Sequence, residues 1–247
     1  MSRTVALITG SNRGIGASCA EEFAKSGVNV VINYCHHKEE ALKLQEYLKD
    51  TYSVDVLTIK CDISKEEEVE AMINTITDTF GGIDILVNNA SVCRDTLLLD
   101  KNVRDFKRIL DVNLIGTYLV SKYVGKIMLE QKKGKIINIS STNAIDTYYP
   151  ESCDYDASKA GVISLTHNFA REFAPFIQVN CICPGWVKTA MNKNLSCEQI
   201  NEEKKKILLG RFAEPEEIAK VVVFLASNKA NYINDSIIRV DGGKYNG

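Results

Sequence analysis

Apolar runs of strand length alternate along the chain with longer segments in which apolar residues recur every three or four positions. The short runs, such as V-A-L-I, V-V-I and I-L-V, are nearly continuous, which favours strands that are covered on both faces. The pattern predicts strands at 5–9, 28–33, 54–60, 83–88, 135–141, 178–183 and 236–240. It predicts helices at 14–26, 38–51, 65–80, 103–131, 154–173 and 215–226.

This alternation predicts an α/β fold with a doubly wound parallel sheet of seven strands and helices on both faces, because parallel strands need crossover connections. No linker rich in Pro, Gly or Ser interrupts it, so residues 1–247 are expected to form one domain. The segment 189–210 departs from the pattern: it is polar, it follows a strand, and it is long for a connection. We expect it to be a lid over a site.

Composition narrows the function classes. The 247 residues are 45% hydrophobic and 25% charged, and the net charge of −2 gives no support for a nucleic-acid partner. No stretch of 18 apolar residues predicts a membrane span, and a cytoplasmic protein is expected. The eight cysteines form no C-x-x-C pair, and Cys181 and Cys183 alternate in a strand-like run. We therefore expect reduced, buried thiols and no metal site.

The first predicted strand leads into the segment T-G-S-N-R-G-I-G, with glycines at Gly10, Gly14 and Gly16. Glycines between a strand and a helix permit a tight turn and a close approach of backbone N–H groups to a pyrophosphate. The N-terminus of the following helix favours the same negative charge. The segment therefore predicts a nucleotide site.

With its G-x-x-x-G-x-G spacing, the chain resembles the short-chain dehydrogenase/reductase family, and the resemblance runs over residues 4 to 245. The motifs that carry it are Asn88-Asn89-Ala90, Asn113 in D-V-N-L, Ser140-Ser141, Tyr155 and Lys159 in Y-x-x-x-K, Pro184-Gly185 and Asp241-Gly242-Gly243. It implies a single-domain Rossmann-like fold and an oxidoreductase that interconverts carbonyl and alcohol groups. Ser91 departs from the family's usual N-N-A-G.

The spacing of Tyr155 and Lys159 places both side chains on one helix face. A neighbouring ammonium favours tyrosinate, so Lys159 is expected to lower the phenol pKa toward the range useful for proton transfer. The resemblance implies that Tyr155 is the acid, that Ser141 bonds the same substrate oxygen, and that Asn113 holds a water linked to Lys159. Between Ser140 and Ser141 the choice stays open, because the loop to Tyr155 is one residue longer than expected; Ser141 is favoured as the second of the pair.

The residue at the end of the second strand indicates the choice between NADH and NADPH, because an acidic residue there would repel the 2′-phosphate of NADPH. This chain has Asn33 there, and Arg13 in the glycine loop can pair with a phosphate, so NADPH is expected over NADH. Asp62 is similar to the family residue near the adenine. The expected cofactor-binding set is Gly10, Asn12, Arg13, Gly14, Ile15, Gly16, Asn33, Asp62, Ile63, Asn89, Ala90, Tyr155, Lys159, Pro184, Gly185, Val187 and Thr189.

The closest subgroup looks like the 3-oxoacyl-[acyl-carrier-protein] reductases, from R-D-T-L-L-L at 94–99, G-R-F-A-E-P-E-E-I-A at 210–219 and V-D-G-G. This resemblance implies a 3-oxoacyl thioester substrate, an acyl carrier protein as partner, and a homotetramer. The alternatives are a short-chain alcohol, sugar or hydroxysteroid dehydrogenase, or a dinucleotide-binding regulator without catalysis. Carriers are acidic, so Lys132, Lys133, Lys135 and Arg171 are expected to form a basic patch beside the pocket.

Overall fold

The computed structural model describes residues 4–192 and 195–244, and its centre is one parallel sheet. The strands lie in the order β3-β2-β1-β4-β5-β6-β7, which confirms the predicted doubly wound, Rossmann-like sheet. Their bounds are β1 Val5–Ile8, β2 Asn29–Tyr34, β3 Val56–Lys60, β4 Ile85–Asn88, β5 Gly134–Ile139, β6 Ile177–Pro184 and β7 Ile237–Val240. The strand order reverses direction between β1 and β4, so a crevice opens at the carboxyl ends of these two strands.

The α-helices connect the strands on both sides of this sheet. They are α1 Gly14–Lys25, α2 Lys38–Tyr52, α3 Glu66–Phe80, α4 Val103–Leu110, α5 Thr117–Gln131, α6 Cys153–Glu172, α7 Cys197–Lys205 and α8 Pro215–Ala226. Pro215 occupies the start of α8, and acidic residues follow it in the first turn. This arrangement suits the fixed φ of proline and the positive end of the helix dipole.

Two apolar clusters, one on each face, hold the sheet between its helices. One contains Phe23 of α1 and Leu48 of α2, and the other contains Met72 of α3 and Met128 of α5. The strand residues alternate between the two clusters; Ile8 packs in the first and Leu7 in the second. Burial on both faces explains why the strand sequences are continuous apolar runs.

The predicted helix at 103–131 is divided in the structure. A π-helical turn at Asp111–Gly116 separates α4 from α5. Gly116 lies in this turn against Ile63, and a Cβ on the glycine would come 2.7 Å from the Ile63 side chain. A π-turn keeps the backbone helical, so the sequence pattern, which predicts one helix over 103–131, does not mark it.

The lysines of the expected basic patch lie at the amino end of β5, whereas the crevice lies at the carboxyl ends of the strands. Lys132, Lys133 and Lys135 precede or begin β5, whereas Ser140 follows its carboxyl end, about 17 Å away at the rise of a strand. Lys133 pairs with Asp84 at 2.6 Å, and Lys135 donates to the Ser227 carbonyl oxygen at 2.7 Å. These lysines therefore do not flank the crevice of their own chain.

Cysteine burial is mixed, contrary to the expectation of uniformly buried thiols. Cys19, Cys61, Cys181 and Cys183 are buried, whereas Cys197 is exposed and the remaining three are partly exposed. Among residues 4–192 and 195–244, no group of three or more His, Cys, Asp or Glu side chains could hold a metal ion. No helix in the same ranges has the length and apolarity needed to cross a membrane.

Candidate active site

The carboxyl end of β5 and the first turns of α6 bring the predicted Ser, Tyr and Lys side chains together. Lys159 is 2% exposed, and its Nζ donates to the Ile139 carbonyl oxygen at 2.8 Å. The same Nζ lies 5.5 Å from the centroid of the Tyr155 ring. An ammonium group has three donor hydrogens, so two stay available after the bond to Ile139.

Burial changes the proton affinities of both groups. Loss of hydration lowers the pKa of Lys159 to about 8, although the nearby thiols of Cys181 and Cys183 act in the opposite direction. The Tyr155 ring is partly exposed in the cleft, yet burial raises the pKa of its phenol, and Cys93 raises it further. The described residues therefore raise the phenol pKa, whereas the i, i+4 argument predicted that Lys159 would lower it. A raised pKa keeps Tyr155 protonated and available as a proton donor at neutral pH.

The two serines after β5 have different environments. The Ser140 hydroxyl donates to the Lys159 backbone carbonyl at 2.8 Å and is buried, so it ties β5 to α6. The Ser141 hydroxyl accepts from the Asn143 N–H at 3.1 Å and lies within hydrogen-bonding reach of the Tyr155 phenol, whose pKa it acts to lower. Of the two hydroxyls, the structure brings Ser141 to the reactive end of Tyr155.

Asn113 lies in the π-helical turn and is fully buried. Its side-chain oxygen accepts from the Val92 N–H at 2.8 Å, and its amide donates to the Val92 carbonyl at 2.9 Å and to the Ser158 hydroxyl at 3.0 Å. Ser158 precedes Lys159 on α6. Asn113 thus joins the loop after β4 to the helix that carries Tyr155 and Lys159.

The glycine loop fits tightly against the loop after β4. Gly10 has a φ of +61°, and a Cβ there would lie 2.8 Å from the Ala90 Cα. The Asn89 amide donates to the carbonyl oxygens of Thr9 and Gly10, at 2.9 and 3.0 Å. A Cβ on Gly16 would come within 2.5 Å of the Asn89 Nδ2. Glycine is required here because any larger side chain would separate the two loops.

At the end of β2 the structure assigns Asn33 a supporting position. Its side chain accepts from the Gly10 N–H and donates to the Cys61 carbonyl, both at 3.1 Å, and it is 1% exposed. The Asn33 side chain thus fixes the position of the glycine loop relative to β2 and β3. A direct contact between Asn33 and a cofactor stays a prediction.

Arg13 and Asp62 are the charged residues of the predicted adenosine end. Arg13 is exposed at the start of α1, and in the described part of the chain no carboxylate pairs with it. Burial acts to raise the pKa of Asp62, but hydrogen bonds from Ser64 and Arg108 outweigh it and lower that pKa. Ile63, next to Asp62, is buried against Gly116.

The predicted residues after β6 line the opposite side of the crevice. A Cβ on Gly185 would lie 2.8 Å from the Asp241 Cβ, so the D-G-G segment packs directly on the Pro184-Gly185 turn. Thr189 faces Gly14, with 3.5 Å between its Cγ2 and the place of a Cβ on that glycine. Both residues line a cleft of about 570 Å³ between α1 and the segment 188–215. Val187 is buried and pairs with Ala213.

Within the predicted lid, Glu203 of α7 joins the loops that follow β5 and β6. Its Oε2 accepts from the Tyr149 hydroxyl at 3.0 Å and from the Trp186 ring N–H at 2.9 Å. Burial acts to raise the pKa of Glu203, but donors from Lys206, Trp186 and Tyr149 lower it, so the carboxylate is anionic at neutral pH. Residues 193 and 194 of the lid segment lie outside the described residues.

Sequence reasoning missed Glu203 and Trp186. Glu203 stands in the charged run E-E-K-K-K, which carries no signal that distinguishes it from its neighbours. Trp186 is the single tryptophan and directly follows the Pro184-Gly185 motif, so its position was the available signal. Tyr149 shares its loop with Tyr148, which is 70% exposed and whose hydroxyl donates within the same loop, to the Ile145 carbonyl.

Known proteins share this architecture and sequence along nearly the whole chain. A family model described as Enoyl-(Acyl carrier protein) reductase matches residues 10–245. The 3-oxoacyl-[acyl-carrier-protein] reductase FabG of Staphylococcus aureus is 40% identical over 242 residues, which cover 97% of each chain. The corresponding reductase of Synechocystis is 39% identical, over 97% of this chain and 96% of its own.

Solved structures agree with these sequence matches. The crystal structure of levodione reductase superposes with a TM-score of 0.92 at 31% identity, over 97% of this chain and 96% of that chain. A mutant short-chain dehydrogenase/reductase of Serratia marcescens superposes with a TM-score of 0.91 at 32% identity, over 97% of both chains.

The chain belongs to the short-chain dehydrogenase/reductase family. It is therefore an oxidoreductase that acts on CH–OH and C=O groups and uses a nicotinamide dinucleotide.

The two serines give a matched pair of variants. Ser141→Ala is expected to lower kcat for carbonyl reduction by roughly 10²-fold, the usual loss when one donor to a developing oxyanion is removed. Ser140→Ala is expected to keep kcat within a few-fold and to lower the free energy of unfolding by about 1 kcal/mol, because it loses one buried hydrogen bond. Steady-state kinetics and urea denaturation measure both. The reverse order of the two kcat values would contradict the assignment.

Proposed function

We propose that this enzyme reduces the carbonyl of a 3-oxoacyl thioester with NADPH, in the form linked to an acyl carrier protein. The observation that carries the proposal is the meeting of Ser141, Tyr155 and Lys159 at the end of β5. The substrate class is supported by the names of the relatives at 39–40% identity. A short-chain alcohol, sugar or hydroxysteroid dehydrogenase would use the same three residues.

The protein's part in the reaction is to orient the carbonyl and supply its proton. The Ser141 hydroxyl donates a hydrogen bond to the carbonyl oxygen, and the protonated Tyr155 phenol transfers its proton to that oxygen. A bound nicotinamide cofactor supplies the hydride. Lys159 stabilises the phenolate that Tyr155 leaves behind, because its ammonium lies beside the ring.

Lys159 and Asn113 complete the proton path. Two of the three Lys159 N–H donors are free of Ile139, enough for a nicotinamide ribose and for one water. We place that water at the Asn113 backbone carbonyl, which also accepts from the Thr117 hydroxyl at 2.8 Å. Tyr155 is then reprotonated through Lys159 from solvent.

The glycine loop supports the cofactor part of the proposal. Gly10 and Gly16 let the loop pack closely against Ala90 and Asn89, and the backbone N–H groups at the start of α1 can then bind a pyrophosphate of either dinucleotide. Arg13, which pairs with no carboxylate among the described residues, lies at this helix start and suits a 2′-phosphate. The arginine is the feature that favours NADPH over NADH.

The segment 189–210 is proposed to close over bound substrate. The Glu203 contacts with Tyr149 and Trp186 support this, because they join α7 to the loops after β5 and β6, next to the residues Ser141 and Tyr155. A single domain and a cytoplasmic location stay predictions from the sequence pattern, and a homotetramer stays a prediction from the family resemblance. The carrier-linked form is supported by the relatives' names and not by the lysines before β5, since these lie at the opposite end of that strand.

Replacing Tyr155 tests the reaction. Tyr155→Phe is expected to lower kcat/KM for acetoacetyl thioesters by at least 10²-fold, the usual contribution of a general acid, while cofactor still binds. Tyr148→Phe is the matched control, because it removes a phenol from an exposed loop position and is expected to keep activity. Steady-state assays with carrier-linked, coenzyme A-linked, steroid and sugar substrates measure both activity and substrate class. No turnover of any 3-oxoacyl thioester would contradict the proposed substrate.

Arg13 tests the cofactor. Arg13→Ala is expected to weaken NADPH binding by roughly ten- to 150-fold and leave NADH unchanged, because one charge-assisted contact to the phosphate is lost. Glu40→Gln is the control: this carboxylate binds the Asn12 amide at 3.0 Å, and removing its charge should not weaken NADPH binding. Cofactor fluorescence gives the Kd values of all three proteins for both cofactors. Equal affinities of the wild type for NADPH and NADH would overturn the choice.

A further inference from the structure

We propose that a buried ion pair between Lys101 and Asp154 positions Tyr155 and sets its proton affinity. The inference rests on the proposed role of Tyr155 as the acid. It assigns Lys101 and Asp154 as positioning residues that act through the tyrosine and do not themselves touch the substrate. Neither residue belongs to the motifs that identify the family in this sequence.

The pair is the most deeply buried ion pair in the described part of the chain. The Lys101 Nζ lies 2.8 Å from the Asp154 Oδ1, and the side chains are 3% and 0% exposed. Taking two charges out of water costs several kcal/mol per ion, and an apolar pair of equal volume is often as stable. Stability alone therefore gives no reason for charges at this place.

The pair is connected directly to Tyr155. Asp154 precedes the tyrosine in the first turn of α6, and its Oδ1 also accepts from the Tyr155 backbone N–H at 2.9 Å. One carboxylate oxygen thus bonds both the ammonium and the catalytic residue's own backbone. Removal of the ammonium is therefore expected to move the Asp154 carboxylate. Because this carboxylate binds the Tyr155 N–H, its position sets the helical turn that carries the phenol.

The same ammonium also binds the loop that follows β4. The Lys101 Nζ donates to the Arg94 carbonyl at 3.0 Å, and the Thr96 N–H donates to the Glu151 carbonyl at 3.1 Å. Residues 94–101 are thereby held against the start of α6. The ion pair joins the wall next to Cys93 to the helix of Tyr155.

The charge of Asp154 is incompletely satisfied without Lys101. Its Oδ2 is buried and accepts no hydrogen bond from the residues that the structure describes. In this low-dielectric region an uncompensated carboxylate next to Tyr155 would favour the neutral phenol, and an uncompensated ammonium would favour phenolate. With both partners present, their opposing effects on the proton affinity of Tyr155 largely cancel.

The other groups that face Tyr155 come from two loops and from its own helix. Cys93 and Asp95 lie in the loop after β4, Ser141 follows β5, and Asp156 and Lys159 share α6 with the tyrosine. None of them is replaced in the variants below. Asp154 acts to raise the pKa of Cys93 and Lys101 acts to lower it, so a shift in the Tyr155 pKa between those variants reports the ion pair both directly and through this thiol.

The test compares Lys101→Met, Asp154→Asn and the double variant, each with and without Tyr155→Phe. The difference in tyrosinate absorbance within each pair isolates the titration of Tyr155 and needs no turnover. Lys101→Met is expected to raise the Tyr155 pKa, and Asp154→Asn to lower it, each by about one pH unit, which lies within the range of shifts that one neighbouring charge produces. The double variant is expected to return close to the wild-type value.

Activity supplies the second readout. Each single variant is expected to lose about tenfold or more in kcat/KM for acetoacetyl-coenzyme A with NADPH, and the double variant to regain most of it, since coupled residues are non-additive. Lys101→Arg keeps the charge in a different geometry and guards against misfolding of the other variants. It is expected to lower kcat without moving the Tyr155 pKa.

Shifts of the same sign in the two single variants, no shift in either, or a shift in Lys101→Arg would overturn the inference. These outcomes are distinct from failure of the proposed function, which would appear as reductase activity in the Tyr155→Phe protein. Circular dichroism confirms that each variant compared is folded.

Discussion

A deeply buried lysine amine is the constraint on which the site depends. Lys159 is 2% exposed, and among the described residues its Nζ donates to the Ile139 carbonyl at the carboxyl end of β5. An ionised amine at such a place is costly unless other groups solvate it. The position of α6 against β5 is therefore fixed by this contact and by the Ser140 bond to the Lys159 carbonyl. Tyr155 lies one turn earlier on the same helix.

The remaining contacts order the loops that surround Lys159. Asn89 joins the glycine loop to the end of β4, and Asn113 joins the next stretch of that loop to α6. Glu203 performs the corresponding task for the segment after β6. In each case a buried or partly buried side chain satisfies donors or acceptors from two segments at once. The loops are thereby ordered around the crevice at the point where the strand order reverses.

The elements of the site that are local in sequence could be predicted, and those that depend on tertiary contacts could not. The strand–glycine–helix segment and the i, i+4 spacing of Tyr155 and Lys159 carry their geometry within a few residues. Asn33 lies at the expected strand end, yet its side chain accepts a hydrogen bond from the Gly10 N–H, in the loop after the neighbouring strand β1. The pairing of Lys101 with Asp154 spans 53 residues, and no local pattern marks it. The effect of burial on the Tyr155 pKa likewise depends on the whole surrounding fold.

The burial of Lys159 is the central claim, and its own titration tests it most directly. The protein is labelled with [13Cε]lysine, and the Lys159 resonance is identified by its loss in Lys159→Met. The account predicts that this resonance titrates with a pKa of about 8, because burial disfavours the ammonium, well below the value of about 10.4 for a lysine side chain in water. A Lys159 resonance that titrates together with the exposed lysines would contradict the account.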